Sequence, residues 1–458
     1  MNAERIYSSL PVTLQNFVCC IKGLQIRRQR YDARFLALLN EAKNRVKWTG
    51  EQVADYQAER LMRFVEHAIK NVPYYAETGI RVKDVRSVED LHKLPVINKE
   101  NVRANRSKFI ASNVHKREIV HCHTSGTTGA GLKFLSTRDA IREQWAVWWR
   151  FRSTYGIPLH ETCAYFGGRS VVPVQQAKPP YCRFNIPCGQ LMLSAYHLSG
   201  NTVSSYVETL NRRQPKWFHG YPSFMSTLAQ LMVENDLALD YSPKWVTTGS
   251  ENMLDHQREA IYNAFGVTPA QSYGMSEAVA NISERPNGAL TVDEDFAYTE
   301  FVPNDGHSYR VVGTNFTNLA MPLIRYEVGD LVTISDDDRM TGWRTVSTLD
   351  GRQEDSIVTA NGSVVGRLDH IFKDAVNVRE AQIYQPDTSR LIVRIVPERN
   401  YGAGDEAALR QEFASRIGSG TLVQFDIVES IEKTSRGKLR FVISDVKSPM
   451  SLSQTCCK

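Results

Sequence analysis

The chain's densest concentration of chemistry is His123-Thr124-Ser125-Gly126-Thr127-Thr128-Gly129-Ala130-Gly131-Leu132-Lys133. Small residues let the backbone approach a ligand closely. Hydroxyls and backbone N–H groups then converge as donors, which is what a polyphosphate needs. The segment is not a Walker A loop: Gly126 and Gly131 keep the GxxxxG spacing, but Leu132 stands where the lysine belongs, and Phe134 follows Lys133 in place of Ser or Thr. Taken alone, the cluster reads equally as a turn rich in Gly, Ser and Thr.

Metal chemistry has weaker support. Cys182, Cys188 and His197, with five and eight residues between them, match no common zinc pattern. On a strand, His121 and His123 share one face while Cys122 points to the other. Eight cysteines in 458 residues make no disulfide framework, so a reduced, cytoplasmic protein is expected. The mild net charge of +5 suits a small anionic ligand and falls short of a nucleic-acid footprint. No apolar run approaches the ~18 residues of a membrane span, and the N-terminus lacks the order of a signal peptide. The apolar stretch from Leu10 to Leu24, followed by Arg27, Arg28 and Arg30, predicts an amphipathic helix packed on its own domain; contact with the inner membrane face is the alternative.

The elements that must position this chemistry alternate. Ile119-Val120-His121 leads into the glycine segment, and after it Ile141, Trp145, Trp148, Trp149 and Arg152 recur at helical spacing. Cys163 to Gly167, Lys216 to Gly220 and Lys244 to Gly249 are strand-like runs closed by glycine, with helical stretches at Ser223 to Leu237 and Asp255 to Phe265. This is an α/β pattern, in which ligands sit beyond the strand ends. Near residue 350 the composition changes. Asp336-Asp337-Asp338 reads as a solvated hairpin tip, and Gly351-Arg352-Gln353-Glu354-Asp355 as a hinge. Strand-like Leu391 to Val396 and Leu422 to Val428 flank a helical Ala407 to Ile417 beyond it. The expected organisation is a large layered α/β domain at 1–350, a hinge at 351–355 and a small α+β domain at 356–458.

Four further segments come in order: Tyr273-Gly274-Met275-Ser276-Glu277, Pro322 to Asp330, Gly351 to Asp355, and Lys433-Thr434-Ser435-Arg436-Gly437-Lys438. Together with Asn71-Val72-Pro73-Tyr74-Tyr75, Ser194 to Ser199, His219-Gly220-Tyr221-Pro222-Ser223 and Gly366-Arg367-Leu368-Asp369-His370, they resemble the adenylate-forming superfamily of acyl-CoA synthetases. The chain is most similar to the phenylacetate–CoA ligase family and its CapK-like capsular-polysaccharide branch, from about Leu10 to Ser444.

The resemblance implies an ATP-dependent acid ligase in which a carboxylate attacks the α-phosphorus of ATP and pyrophosphate leaves. Both reactants are anions, so neutralising charge is most of the work. Thr124, Ser125, Gly126, Thr127, Thr128 and Gly129 would form the pyrophosphate clamp. Glu277 would hold Mg²⁺, a hard cation that takes oxygen ligands. Ser276 would bond the α-phosphate, Tyr273 and Gly274 would lie near adenine, Gly249-Ser250-Glu251 would line the purine, and Asp330 would accept from the ribose. Arg352 would reach the nucleotide from the hinge at Glu354. Lys438 would bridge carboxylate and phosphate during adenylation, a task suited to a point charge on a flexible stem; the small domain would then rotate and withdraw it. Tyr196, His219, Gly220, Tyr221 and the tryptophan stripe would wall the acid pocket, with Arg169 a candidate anion anchor.

Two acceptors stay open at this point: CoA, or an amine or hydroxyl on a glycan. An inactive relative serving as an interaction protein is the third reading. Relatives carry cysteines near Glu284 to Gly288 and before the hinge; this chain has Arg285 and Asp350 there, so no structural zinc is expected.

Overall fold

The computed structural model describes residues 3–124, 132–304, 308–334, 343–350, 357–365, 368–372, 375, 377–418, 420–432 and 440–446. Ser125, Gly126, Thr127, Thr128, Gly129, Arg352, Glu354 and Lys438, together with the 336–338 tip, lie outside them.

A nine-stranded mixed sheet forms the centre. Its five parallel strands run side by side as Ala270–Gly274, Trp245–Gly249, Trp217–Gly220, Cys163–Gly167 and Gln190–Ser194. Antiparallel strands extend both edges. Strands buried on both faces need apolar residues throughout, and Phe166, Phe218 and Val246 face one way, against the helices Val203–Arg213, Pro222–Glu234 and Asp255–Phe265. Cys163 and Trp217 face the other, against the helices Ala33–Arg45 and Arg138–Thr154. A second, four-stranded sheet (Ala297–Pro303, Ser308–Asn315, Tyr326–Thr333 and Thr348–Asp350) stands beside it. The strands Ile119–His123 and Lys133–Thr137, which flank the glycine segment in sequence, pair antiparallel with His123 opposite Lys133.

From residue 357 onward the described residues build a separate core. Strands Leu422–Ile427, Arg390–Pro397, Val378–Asp387 and Val442–Ser444 lie in that order under the helix Ala403–Ile417. Arg103 reaches this unit from the large one, donating to Val378 O at 3.5 Å and lying 3.6 Å from Glu398.

The expected amphipathic helix is Val12–Arg30. It does pack on its own domain, but by its polar side: Gln15 and Gly23 are buried, whereas Leu14, Phe17, Val18, Ile21 and Leu24 are exposed. The surface it covers presents Arg183, Asn185 and the backbone N–H and carbonyl of Phe184, which is why amides and small side chains face inward in place of leucines, with Val12 and Ile26 half-buried beside them.

Buried charge holds the large unit together where Arg285 stands. Arg150, 1% exposed, bridges Asp293 and Asp295, both fully buried, at 2.6 Å each. Arg45 adds a second bond to Asp295 at 2.6 Å, and Arg285 meets Asp293 at 3.2 Å. Burial alone would push the Asp295 carboxyl up, but Arg150 and Arg45 more than offset this and hold it at about 2. A buried pair broken on one side leaves an uncompensated charge. Asp295→Asn should therefore cost about 3–5 kcal/mol in urea unfolding, against about 0–1 kcal/mol for breaking the exposed Glu59–Arg63 pair.

Candidate active site

Four neighbouring parallel strands end on glycine at one rim: Gly167, Gly220, Gly249 and Gly274. Gly220 has φ +149°, and a Cβ there would sit 2.0 Å from the Phe166 carbonyl oxygen; the Tyr221 amide donates to that same oxygen at 2.7 Å. The strand ends can pack this tightly only without side chains. Ser250, following Gly249, has φ +68°, a left-handed conformation that costs a non-glycine residue on the order of 1 kcal/mol and recurs at ligand clamps. The Glu251 carboxylate accepts from the Ser223 amide at 3.1 Å, tying this strip to the N-terminus of Pro222–Glu234.

The turn after Gly274 is held from two sides. Gln144 of Arg138–Thr154 donates to Met275 O at 2.7 Å, and Asn315 donates to Ala278 O at 2.8 Å. Trp148 and Asp293 both bond Asn281, at 2.9 and 2.5 Å, so the buried ion cluster also braces this region. Ser276 is exposed at the tip and Glu277 is half-buried. The Tyr273 hydroxyl donates to Asp330 Oδ2 at 2.9 Å across the gap between the two sheets. The Glu277 carboxyl is pushed above the usual carboxylate range, first by burial and also by the negative charge of Asp330; the Lys99 cation and a bond from Tyr326 pull it back in part. Tyr273, Glu277 and Asp330 thus come together, as their motif positions imply.

Lys99 is the member of this group that the sequence did not single out. It opens the helix Lys99–Ala104, capped by Asn98 and Asn101. Ile97 pairs beside Tyr326, with Ile97 N bonded to Arg325 O and Glu327 N to Ile97 O, which carries Lys99 to the carboxylates. The capping box was a readable signal for the helix, but no spacing ties the lysine to Glu277.

Thr124 is buried at the neck of the glycine segment. Its Oγ1 accepts from Leu132 N at 2.9 Å and its own amide donates to Leu132 O at 3.0 Å. On the opposite side, His219 is held by Thr247 and Arg152. A guanidinium can only donate, so Arg152 Nη2 at 3.1 Å makes His219 Nε2 an acceptor and places the proton on Nδ1, 2.9 Å from Thr247 Oγ1. Burial, then the Arg152 charge, pushes the imidazole well below its usual range, and it is neutral at pH 7. Arg152 itself is 7% exposed and stacks on Trp145, Trp149 and Trp217 at 4.8–5.8 Å. Among the described residues no carboxylate pairs with it. Arg169, by contrast, is exposed. Tyr196 follows the strand end at Ser194, opposite Gly167 in register, and its hydroxyl is bonded to Gly168 O at 2.8 Å and to Arg416 at 3.2 Å, so that it also packs against the core of the C-terminal unit.

Residues 357–445 match the family model described as the CapK C-terminal domain. Across the chain, protein CapK of Staphylococcus aureus is 27% identical over 96% of this chain and 99% of its own length. The chain is thus similar to CapK over nearly its whole length, and to the phenylacetate–CoA ligases. The phenylacetate-coenzyme A ligase of Thermus thermophilus is 25% identical over 83% of this chain and 86% of its own length. A solved open conformation of 2-hydroxyisobutyryl-CoA ligase with 2-HIB-AMP and CoA overlays with TM-score 0.49 at 20% identity, covering 84% of this chain and 90% of that one. No described helix is long and apolar enough to cross a membrane, and no group of three or more His, Cys, Asp or Glu among the described residues could hold a metal on its own.

Proposed function

We propose that the chain activates a carboxylic acid at the expense of ATP and passes the acyl group to CoA. A carboxylate oxygen bonds to the α-phosphorus, the bond to the β-phosphate bridge breaks, and pyrophosphate leaves. A thiol then adds to the acyl carbon and AMP leaves with the carboxylate oxygen. The observation that carries this reading is the meeting of Glu277, Asp330 and Tyr273 with Lys99 beyond the glycine-ended strands, in a chain whose curated relatives include phenylacetate-coenzyme A ligases. Asp330 has the two oxygens a ribose needs, and Lys99 offers a cation to phosphate. A carboxylate pushed up by burial and by a neighbouring negative charge fits a hard divalent cation, and Glu277 would be the residue to hold Mg²⁺. Bound there, the ion would offset phosphate charge. Kinship with CapK supports a place in capsule or surface-polysaccharide assembly.

The acid would lie on the His219 side of the strand ends. His219 stands two residues below the start of the Gly249 rim in strand register, about 7 Å at ~3.3 Å per residue, so an acid of a few carbons would reach the Arg152–His219 pair. This favours acids with a second carboxylate or hydroxyl. For such acids Arg152→Gln should raise KM roughly ten- to a hundredfold, the worth of a charged hydrogen bond, and leave apolar acids of equal length unchanged. ATP–pyrophosphate exchange over matched pairs such as glutarate and valerate measures this.

The reading as a whole is tested by exchange across an acid panel, with hydroxylamine trapping, with and without CoA. CoA-dependent thioester supports it. Hydroxamate without any thioester moves the acceptor to an amine or hydroxyl. No exchange with any acid would leave an inactive relative.

A further inference from the structure

The helix Val12–Arg30 is inside out. Its inward side is mainly polar or small, with Val12 and Ile26 half-buried on it. Gln15 takes a bond from Arg183 at 2.7 Å and gives one to Leu10 O at 2.9 Å, and Asn16 takes the Phe184 amide at 2.8 Å. Cys20 reaches Phe184 O, and Gly23 sits so close that a Cβ would lie 1.8 Å from Asn185 Oδ1. Arg27 donates to Pro187 O, and Arg30 stacks on Trp145 at 4.3 Å. The outward side is apolar: Leu14 is 47% exposed, Phe17 62%, Val18 39%, Ile21 43% and Leu24 46%. At ~100° per residue these five share one face, about 15 Å long. An exposed apolar stripe of this length on a helix fastened by polar contacts has a use outside the domain.

Charge identifies the occupant. From Leu10 to Tyr31 there are Lys22, Arg27, Arg28 and Arg30, and no Asp or Glu. Arg28 continues the apolar face at its end, and Lys22 lies on its rim; both are exposed. Apolar side chains flanked only by cations are the composition of a helix lying in an anionic lipid interface. A second copy of the chain fits poorly: pairing the stripes would bring cations onto cations, and five side chains are far below the ~20–30 residues a side of a stable interface. We propose that the helix Val12–Arg30 seats this protein on an anionic membrane surface, with Leu14, Phe17, Val18, Ile21 and Leu24 in the headgroup layer and Lys22 and Arg28 on lipid phosphates.

The test uses the full chain with vesicles of pure phosphatidylcholine or of equimolar phosphatidylcholine and phosphatidylglycerol, followed by flotation. Wild type should float with the anionic vesicles, less so as salt rises. F17S/I21S and K22Q/R28Q should each weaken that binding roughly tenfold or more. Both sets lie on exposed surface, so thermal melting and ATP–pyrophosphate exchange should stay at wild-type levels, keeping this result separate from that of the ligase reading. The proposal is overturned if wild type binds neither vesicle, if F17S/I21S floats as well as wild type, or if ultracentrifugation finds a dimer that F17S/I21S dissolves, which would make a second copy the occupant. Equal binding to both vesicles would overturn the assignment to anionic lipid.

Discussion

Lys438→Ala should lower acyl-adenylate formation roughly 10²–10³-fold, the effect of removing one preorganised charge from a transition state, while thioester formation from supplied acyl-adenylate stays near wild type. In adenylation, negative charge moves from the carboxylate onto the phosphate oxygens as pyrophosphate departs. A lysine on a long stem can follow that charge, and nothing else on the C-terminal unit resembles it in motif. Thioester formation begins from a neutral mixed anhydride and has no use for that cation. The two half-reactions should therefore separate. Single-turnover assays of pyrophosphate release and of thioester from synthetic acyl-AMP measure them side by side. Equal loss in both would mean that the lysine serves the fold or a shared step, and that domain alternation is not how this chain divides its labour. Lys99 gives a contrast. It belongs to the large unit and stays beside Glu277 in any arrangement of the small one, so its removal should weaken ATP binding and not distinguish acceptors.

The parts of the fold that were legible in the sequence are those where local pattern and burial agree. The helix Asp255–Phe265 and the strand Cys163–Gly167 have apolar spacing that matches the faces they bury. The helix Val12–Arg30 was legible as an element but not in its facing, because apolar residues do not always turn inward when the adjoining surface consists of amides and carbonyls. Tyr273, Glu277 and Asp330 were legible as motif members, and their meeting follows from the strand ends that carry them. Lys99 was not, since only the pairing of Ile97 with the Tyr326 strand brings it there. Arg152 was read as one position in a helical stripe. Its significance comes from what surrounds it, three indoles and a neutral imidazole, and no sequence spacing encodes such surroundings.

Glu277→Gln should make the protein more stable at neutral pH and nearly inactive. Burial and the charge of Asp330 raise the Glu277 carboxyl above its ordinary range, so the folded chain binds this proton more readily than the unfolded chain does. Stability contributed by that proton is complete below the unfolded pKa of about 4.3 and is lost as pH rises through the raised folded value. Above that raised value the ionised carboxylate is a cost the fold carries, and Gln, of the same shape and without charge, removes it. The gain should shrink as pH falls toward about 4, where the wild-type carboxyl is itself protonated. The lost charge is also the one a divalent cation would need, and adenylation should fall roughly 10²–10³-fold. Urea unfolding at several pH values, paired with pyrophosphate exchange over a magnesium series, reads both effects in one variant. A Gln variant less stable than wild type at neutral pH would show that Lys99 and Tyr326 outweigh Asp330. Residues kept against stability are those whose charge is completed only when substrate arrives, and this carboxylate, with Asp330 beside it and Lys99 opposite, is placed to be one of them.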